Sequence, residues 1–255
     1  MKLAVIGGSL LKDIEGFSHR NTEQISTPFG STSDNLTTGT INGVDVVYFN
    51  RHGSAHHIAP HQINYKANMF ALQFLDVTDI IAVMAVGGIT EKMSPMKWVL
   101  SDQIIDYTYS RNQTYSDTNN RAVNHIDFSY PFDETLSSRL AQSLTHINCE
   151  FEPRGTYGAT QGPRLETIAE IKRMRRDGCD IVGMTAMPEA SLARELEMRY
   201  ANLSLVVNWA AGAEPVGSNE TTQKHAIISM DEIAGRITEG NEVAGNIIQH
   251  LISQL

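Results

Sequence analysis

The chain has 255 residues, of which 41% are hydrophobic and 19% charged, with a formal net charge of −9. That length allows one large core or two modest domains, no linker marks a division, and the composition excludes a disordered chain. The acidic balance excludes a nonspecific grip on nucleic acid, which needs many Lys and Arg against phosphates, but not a small anion held by a few donors.

Cys149 and Cys179 lie far apart in sequence and form no paired metal motif, so they read as two reduced thiols. The opening run Leu3 to Ile6 turns into glycines after four apolar residues, as a strand does and a signal segment does not. The longest apolar run, around Ile80 to Ile89, is too short to span a bilayer. A soluble cytoplasmic protein is expected, with no membrane or nucleic-acid partner.

In chain order, Leu3 to Ile6 ends in Gly7-Gly8-Ser9, where glycines let the backbone turn and aim N–H groups at a ligand. The third glycine of the dinucleotide fingerprint and the Gly-Lys-Ser/Thr of a P-loop are both missing, which argues against NAD and ATP. Thr37 to Asn50 reads as a hairpin turning at Asn42-Gly43. Arg51-His52-Gly53 follows it, and Arg51 and His52 fit as donors to an oxyanion just past a strand end. The histidines at 52, 56, 57 and 61 have no cysteine or nearby carboxylate to make a metal site.

Tyr65, Met69 and Leu72 mark a helix within residues 62–75, and Asp79 to Val86 a strand buried on both faces ending in Gly87-Gly88. Trp98 to Thr108 is another strand candidate. Tyr109 to Asp133 is polar and aperiodic, the mark of a functional or interfacial loop. Leu136, Leu140, Leu144 and Ile147 give an amphipathic helix. A strand at Gly155 to Thr160 leads into Gln161 to Thr167 and a helix with Ile168, Ile171 and Met174 on one face, capped at Gly178.

The stretch Asp180 to Ala190 reads as a strand that breaks at Gly183 and hands over to a helix. Pro188 suits its first position and Glu189 the positive end of its dipole. A strand at Leu203 to Val207 ends in Asn208-Trp209-Ala210, and a loop to Lys224 follows. Ser229 and Glu232 form a capping-box pattern before a C-terminal helix that buries Val243, Ile247, Leu251 and Leu255. Strands alternating with helices, plus the early hairpin, predict an α/β fold with a mixed central sheet flanked by helices.

Several of these segments together resemble the trimeric purine nucleoside and methylthioadenosine phosphorylase family. They are Ile6-Gly7-Gly8-Ser9, Thr27-Pro28-Phe29-Gly30, Arg51-His52-Gly53 with His61 and Asn64 to Asn68, Ala85-Val86-Gly87-Gly88, Gln161 to Thr167, and Gly183 to Glu189, in the family's order over nearly the whole chain. The resemblance implies a single nucleoside phosphorylase domain over residues 1–255, a homotrimer with sites near subunit interfaces, and no metal or cofactor beyond phosphate as co-substrate. It implies reversible phosphorolysis, in which phosphate attacks the sugar anomeric carbon as the purine leaves. Such chemistry rests on positioning and electrostatics.

Carried over by position, Ser9, Arg51, His52, Ala85 through its backbone and Thr185 would hold phosphate. Met184 would lie against the ribose, and Leu165 and Glu166 would line the base pocket with Gln161 near it. Asn208 would face the purine N7 and six-position. Two departures stand out. Leu10 and Leu11 follow Ser9 where the family often has glycine, and Met84 stands where members tend to have Thr or Asn.

Adenine-preferring members carry Asp-x-Asp where this chain has Asn208-Trp209-Ala210, and an Asn amide suits a 6-oxopurine. Met230, Ile233 and Ala234 map to the 5′ end of the sugar, with His125 arriving from another subunit, and would prefer a methylthio group to a hydroxyl. The expected reaction is therefore S-methyl-5′-thioinosine plus phosphate giving hypoxanthine and 5-methylthioribose 1-phosphate. Alternatives are a general inosine and guanosine phosphorylase, a methylthioadenosine phosphorylase, a catalytically weak nucleoside sensor, and a metal-dependent hydrolase built on the histidine run.

Overall fold

The computed structural model describes residues 1–117, 123–214 and 228–255. The expected loop to Lys224 lies outside the described residues from position 215 onward.

The first strands are β1 (Lys2–Gly7), β2 (Ser18–Glu23), the short pair β3 (Ser26–Thr27) and β4 (Gly30–Ser31), and the hairpin β5 (Leu36–Ile41) and β6 (Val44–Asn50). Helix α1 (Tyr65–Phe74) leads into β7 (Asp79–Gly88), β8 (Trp98–Leu100) and β9 (Gln103–Asp106). Then come α2 (Glu134–His146), β10 (Phe151–Glu152), β11 (Thr156–Ala159), α3 (Ile168–Asp177), β12 (Ile181–Gly183), α4 (Ala186–Glu195), β13 (Arg199–Trp209) and α5 (Met230–Ser253).

The main sheet has 11 strands, with β10-β8-β13-β7-β1-β6-β5-β2 in order and β12, β11 and β9 continuing from the end of β7. Strands β6, β1, β7 and β13 run parallel at its centre, while β8 on β13, β12 on β7 and the β5–β6 hairpin are antiparallel. The sheet is therefore mixed, as the hairpin led one to expect. Central strands such as β1 and β7 are apolar on both faces because helices cover both. Helices α1 and α4 pack on one face around Met69, Leu72, Ala190 and Leu192. Helices α2 and α5 cover the other around Leu140, Leu144, Ile247 and Leu251.

Several expected boundaries shift. The strand expected over Trp98 to Thr108 divides into β8 and β9, and β13 runs well beyond Leu203 to Val207. Strands β2 to β4 were not expected, since their residues are polar and largely exposed. Residues 109–117 and 123–133 contain no helix or strand, as expected of this segment. It is anchored all the same: Lys66 Nζ lies 2.6 Å from Asp117, and the Tyr115 amide donates to Glu195 Oε2 at 2.7 Å.

Leu10 and Leu11 are buried against α5. The Leu11 amide donates to Asn241 Oδ1 at 2.8 Å and Tyr48 Oη donates to the Leu11 carbonyl at 2.6 Å. They tie the turn after β1 to the C-terminal helix. The capping box at Ser229 is half realised: Ser229 Oγ accepts from the Glu232 amide, whereas the Glu232 carboxylate accepts from Arg236 one turn on. A complete capping box forms instead at Thr167 and Glu170.

Candidate functional site

The parallel strands β1, β6, β7 and β13 finish on one edge of the sheet, where α/β proteins place their ligands. A cavity of about 490 Å3 opens there. Ser9 reaches it from the turn after β1, Arg51 and His52 from the end of β6, Ala85 from β7, and Met184 and Thr185 from the turn after β12. Asn208 and Ala210 come from the end of β13, Leu165 and Glu166 from the loop before α3, and Met230 and Ile233 from the first turn of α5.

A bulge explains part of this convergence. β13 pairs in step with β7 up to Val206 opposite Val86, then skips a residue so that Asn208 stands opposite Gly87. Neighbours on a strand ordinarily point to opposite faces, but Val207 and Asn208 both line the cavity. In the turn after β12, Met187 is extended (φ −113°, ψ 135°), so the regular part of α4 starts at Pro188, the position anticipated for it. Gly183 has no room for a side chain, because a Cβ there would lie 2.0 Å from Tyr157 Oη.

Three residues singled out from sequence lie outside the cavity. Gln161 lines a neighbouring depression, where its Oε1 accepts from the Tyr109 amide at 3.2 Å and from Arg111 Nε at 3.1 Å. His125 is exposed and does not line the cavity of its own chain. Ala234 faces away, and Ile237, one turn beyond Ile233, takes its place. The i, i+4 spacing of Ile233 and Ile237 was a legible signal for that wall. His56, His57 and Val207 also line the cavity without having been singled out for it, and Met84, noted from sequence as a departure, lines it too.

The electrostatics of the polar end differ from the simple donor pair expected of Arg51 and His52. Arg51 is 1% exposed and Glu189 is 0% exposed, and they form a two-pronged pair through Nε to Oε2 and Nη2 to Oε1, both at 3.0 Å. Arg51 Nη1 also donates to the Val83 carbonyl at 2.8 Å and Nη2 to the Ile6 carbonyl at 3.4 Å, while Tyr200 Oη donates to Glu189 Oε1 at 2.8 Å. Of five guanidinium protons, one on Nη1 has no acceptor among the described residues. A Cβ on Gly8 would sit 2.8 Å from that nitrogen, so glycine there leaves it open. Burial by itself would pull the guanidinium pKa down, and the Glu189 carboxylate reverses this and holds it above its ordinary value. Glu189 thus serves as the buried partner of Arg51 as well as occupying the first turn of α4.

His52 Nδ1 lies 2.8 Å from the Ile58 carbonyl, which can only accept, so Nδ1 carries the proton. Burial, aided by the Arg51 cation, pushes the ring pKa down to about 4, against the opposing effect of the Ile58 bond. Near neutral pH the ring is therefore uncharged and offers Nε2 as an acceptor, not a second positive donor. The His56 ring lies 4.7 Å from it, and His56 Nε2 is 3.4 Å from Ser9 Oγ. Among the described residues no three His, Cys, Asp or Glu side chains gather as metal ligands would.

This linkage gives a stability prediction. The unfolded ring titrates near 6.5 and the folded one near 4, so the unfolded chain binds more protons in between. The stabilisation is complete above pH 6.5 and is lost as pH falls toward 4, by up to about 3 kcal/mol. Urea midpoints of the wild type should fall more steeply than those of His52→Gln across that window. Parallel pH dependence in the two proteins would contradict the buried neutral ring.

Chemically, one end of the cavity offers two hydroxyls (Ser9 and Thr185), a guanidinium N–H and a neutral imidazole. Elsewhere it offers the Asn208 amide and the Glu166 carboxylate, with apolar walls between them. Asn208 Nδ2 donates to the Trp209 carbonyl at 2.7 Å, and Glu166 Oε1 accepts from Thr160 Oγ1 at 2.7 Å. Such a cavity can hold an oxyanion beside a ligand that is partly polar heterocycle and partly apolar.

Residues 2–242 match the model of the phosphorylase superfamily. A probable S-methyl-5′-thioinosine phosphorylase of Pseudomonas syringae is 46% identical over 93% of this chain and 92% of its own. A 6-oxopurine nucleoside phosphorylase of Pyrococcus furiosus is 43% identical over 83% of this chain and 80% of its own. Among solved structures, methylthioadenosine phosphorylase from Schistosoma mansoni in complex with adenine superposes with a TM-score of 0.91 at 28% identity, covering 100% of this chain and 91% of that one.

Proposed function

The chain belongs to the phosphorylase superfamily, and on that premise we propose that it catalyses phosphorolysis of S-methyl-5′-thioinosine to hypoxanthine and 5-methylthioribose 1-phosphate. The observation that carries this reading is the composition of one cavity, in which hydroxyls and a guanidinium N–H share space with Asn208 and with the apolar Met230, Ile233 and Ile237.

In this reading, Ser9, Thr185, Arg51, the Ala85 backbone and His52 hold phosphate. His52 Nε2 accepts a hydrogen bond from a phosphate O–H, and the open Arg51 Nη1 N–H donates to another phosphate oxygen. Met184 lies against the ribose. A phosphate oxygen forms the bond to the anomeric carbon as the bond to purine N9 breaks, and the purine leaves with the electron pair and takes a proton from solvent at N7. Asn208 donates to the leaving purine where that charge gathers, with Leu165 and Glu166 beside the base. The wall of Met230, Ile233 and Ile237 receives the 5′-methylthio group. No cofactor or metal takes part.

The reading includes one phosphorylase domain over residues 1–255 acting as a cytoplasmic homotrimer, in which His125 approaches a neighbouring subunit's site. The exposure of Tyr109, Val123, Tyr130 and Leu165 supports burial of that flank on assembly. Sedimentation should give three times the chain mass, and a monomer would oppose this part. No helix among the described residues is long and apolar enough to cross a membrane.

The 43% identical 6-oxopurine relative supports a second reading, in which inosine is the better substrate. Base release from methylthioinosine, inosine and methylthioadenosine, each with and without phosphate, separates the two. The proposal expects methylthioinosine to react best and only with phosphate. Phosphate-independent release, or preference for inosine or methylthioadenosine, would overturn it.

A further inference from the structure

Arg111 stands in the aperiodic segment that begins at Tyr109, outside the cavity, and makes more hydrogen bonds than its half-exposed position would suggest. Nε donates to Gln161 Oε1 at 3.1 Å, Nη1 to the carbonyls of Met184 at 2.8 Å and Met187 at 2.5 Å, and Nη2 to those of Thr160 at 3.1 Å and Gln161 at 2.8 Å. All five guanidinium protons are used, four of them on main-chain oxygens. The cation also lies 5.7 Å from the centre of the Tyr65 ring.

These acceptors belong to two segments. Met184 and Met187 bracket Thr185 in the turn after β12, and Thr160 and Gln161 open the loop that carries Leu165 and Glu166 to the other wall. Backbone pairing joins the segments only at their root, where the Thr160 amide donates to the Gly183 carbonyl at 2.8 Å. Past that point, among the described residues, the Arg111 guanidinium is the cation that hydrogen-bonds to the backbone of both. Carbonyls cannot bond one another, so without a donor between them they would turn to water and the walls would lose their fixed separation.

We propose that Arg111 is a positioning residue that locks the Met184–Thr185 turn to the Leu165–Glu166 loop, and so sets the nucleoside KM and kcat without touching substrate. The kinetic consequence rests on the phosphorolysis reading, but the structural one does not. Lysine has three donors on one nitrogen and cannot span acceptors arranged around a planar fork, so Arg111→Lys should restore little of what Arg111→Ala loses.

Two measurements test this. Hydrogen exchange should quicken in Arg111→Ala and Arg111→Lys in peptides covering residues 160–166 and 183–188, while β1 and α5 exchange as in the wild type. Unchanged exchange in either segment, or quickening throughout the chain, overturns the proposal whatever reaction the protein performs. In the kinetic arm, a misplacement of about 1 Å in the walls should lower nucleoside kcat/KM by about 100-fold in Arg111→Ala. Millimolar guanidinium chloride should recover it several-fold, because the free ion can occupy the vacated fork. A kcat/KM within about twofold of wild type overturns the proposal, as does a loss that guanidinium does not relieve. If the wild type itself releases no base with phosphate, the phosphorolysis reading fails, and the exchange arm still decides the clamp.

Discussion

Replacing Glu189 by alanine should destabilise the fold by about 3–5 kcal/mol, because removing one partner of a buried ion pair leaves the other charge uncompensated. Both side chains are essentially inaccessible, and Glu189 also accepts the Tyr200 hydroxyl. Without the carboxylate, the Arg51 cation keeps, among the described residues, the Val83 and Ile6 carbonyls, and Tyr200 loses its Glu189 acceptor. The urea midpoint of Glu189→Ala measures the effect, and a loss below about 1 kcal/mol would show that the pair is not sealed from water. The double change Arg51→Met with Glu189→Leu removes both charges together. It should recover most of the stability, since paired burial is worth little net against a hydrophobic replacement. It should also abolish phosphate-dependent turnover, because the open Nη1 proton goes with Arg51. Stability and activity would then part company in one protein, which a general folding defect cannot produce.

Exchanging Asn208 for aspartate should move base preference toward 6-aminopurines by about 10- to 100-fold, the range expected when one buried polar group is mismatched. In the proposed reading the amide donates to a leaving purine at N7 or O6, whereas a carboxylate would accept from a six-amino group or, when protonated, donate to N7. The readout is the ratio of kcat/KM for methylthioadenosine to that for methylthioinosine. An unchanged ratio would transfer the reading of the base to Glu166 or another residue. Ala210 is the second position of the motif and is more constrained. It is 3% exposed, its amide donates to the Gly88 carbonyl at 2.8 Å, and its Cβ lies 3.5 Å from where a Gly87 Cβ would stand. A carboxylate added at 210 would be desolvated against the glycine end of β7, so Asn208→Asp alone should give most of the change that the double variant gives.

Much of the architecture was legible because it follows from local physics. The turn at Asn42-Gly43, with φ of 51° and 82°, joins the hairpin at the expected place. Gly178 caps α3 with φ 99°, and the leucines at 136, 140 and 144 bury the face their spacing predicts. The polar strands β2 to β4 were not legible, since a strand paired at an exposed sheet edge carries no alternation of apolar residues to announce it. The division between β8 and β9 was also hidden, because β8 follows β13 while β9 pairs with β11.

The candidate site divides in the same way. Strand ends rich in glycine and hydroxyls picked out Ser9, Ala85 and Thr185, and one cavity receives them together with Asn208 and Ile233. Arg111 carried no signal, because an arginine in a polar loop looks like any solvated cation until the carbonyls around it are known. Local sequence was enough to place the helices and the apolar central strands in order, and the residue types at their ends, since periodicity, turn chemistry and capping act over a few neighbours. What those residues are free to do depends on partners distant in sequence. Glu189 engages most of the Arg51 guanidinium from 138 positions away, burial keeps the His52 ring neutral while the Ile58 carbonyl fixes its tautomer, and the bulge in β13 brings Val207 and Asn208 into one cavity. Charge pairing, tautomer choice and strand register depend on partners that meet only when the sheet closes.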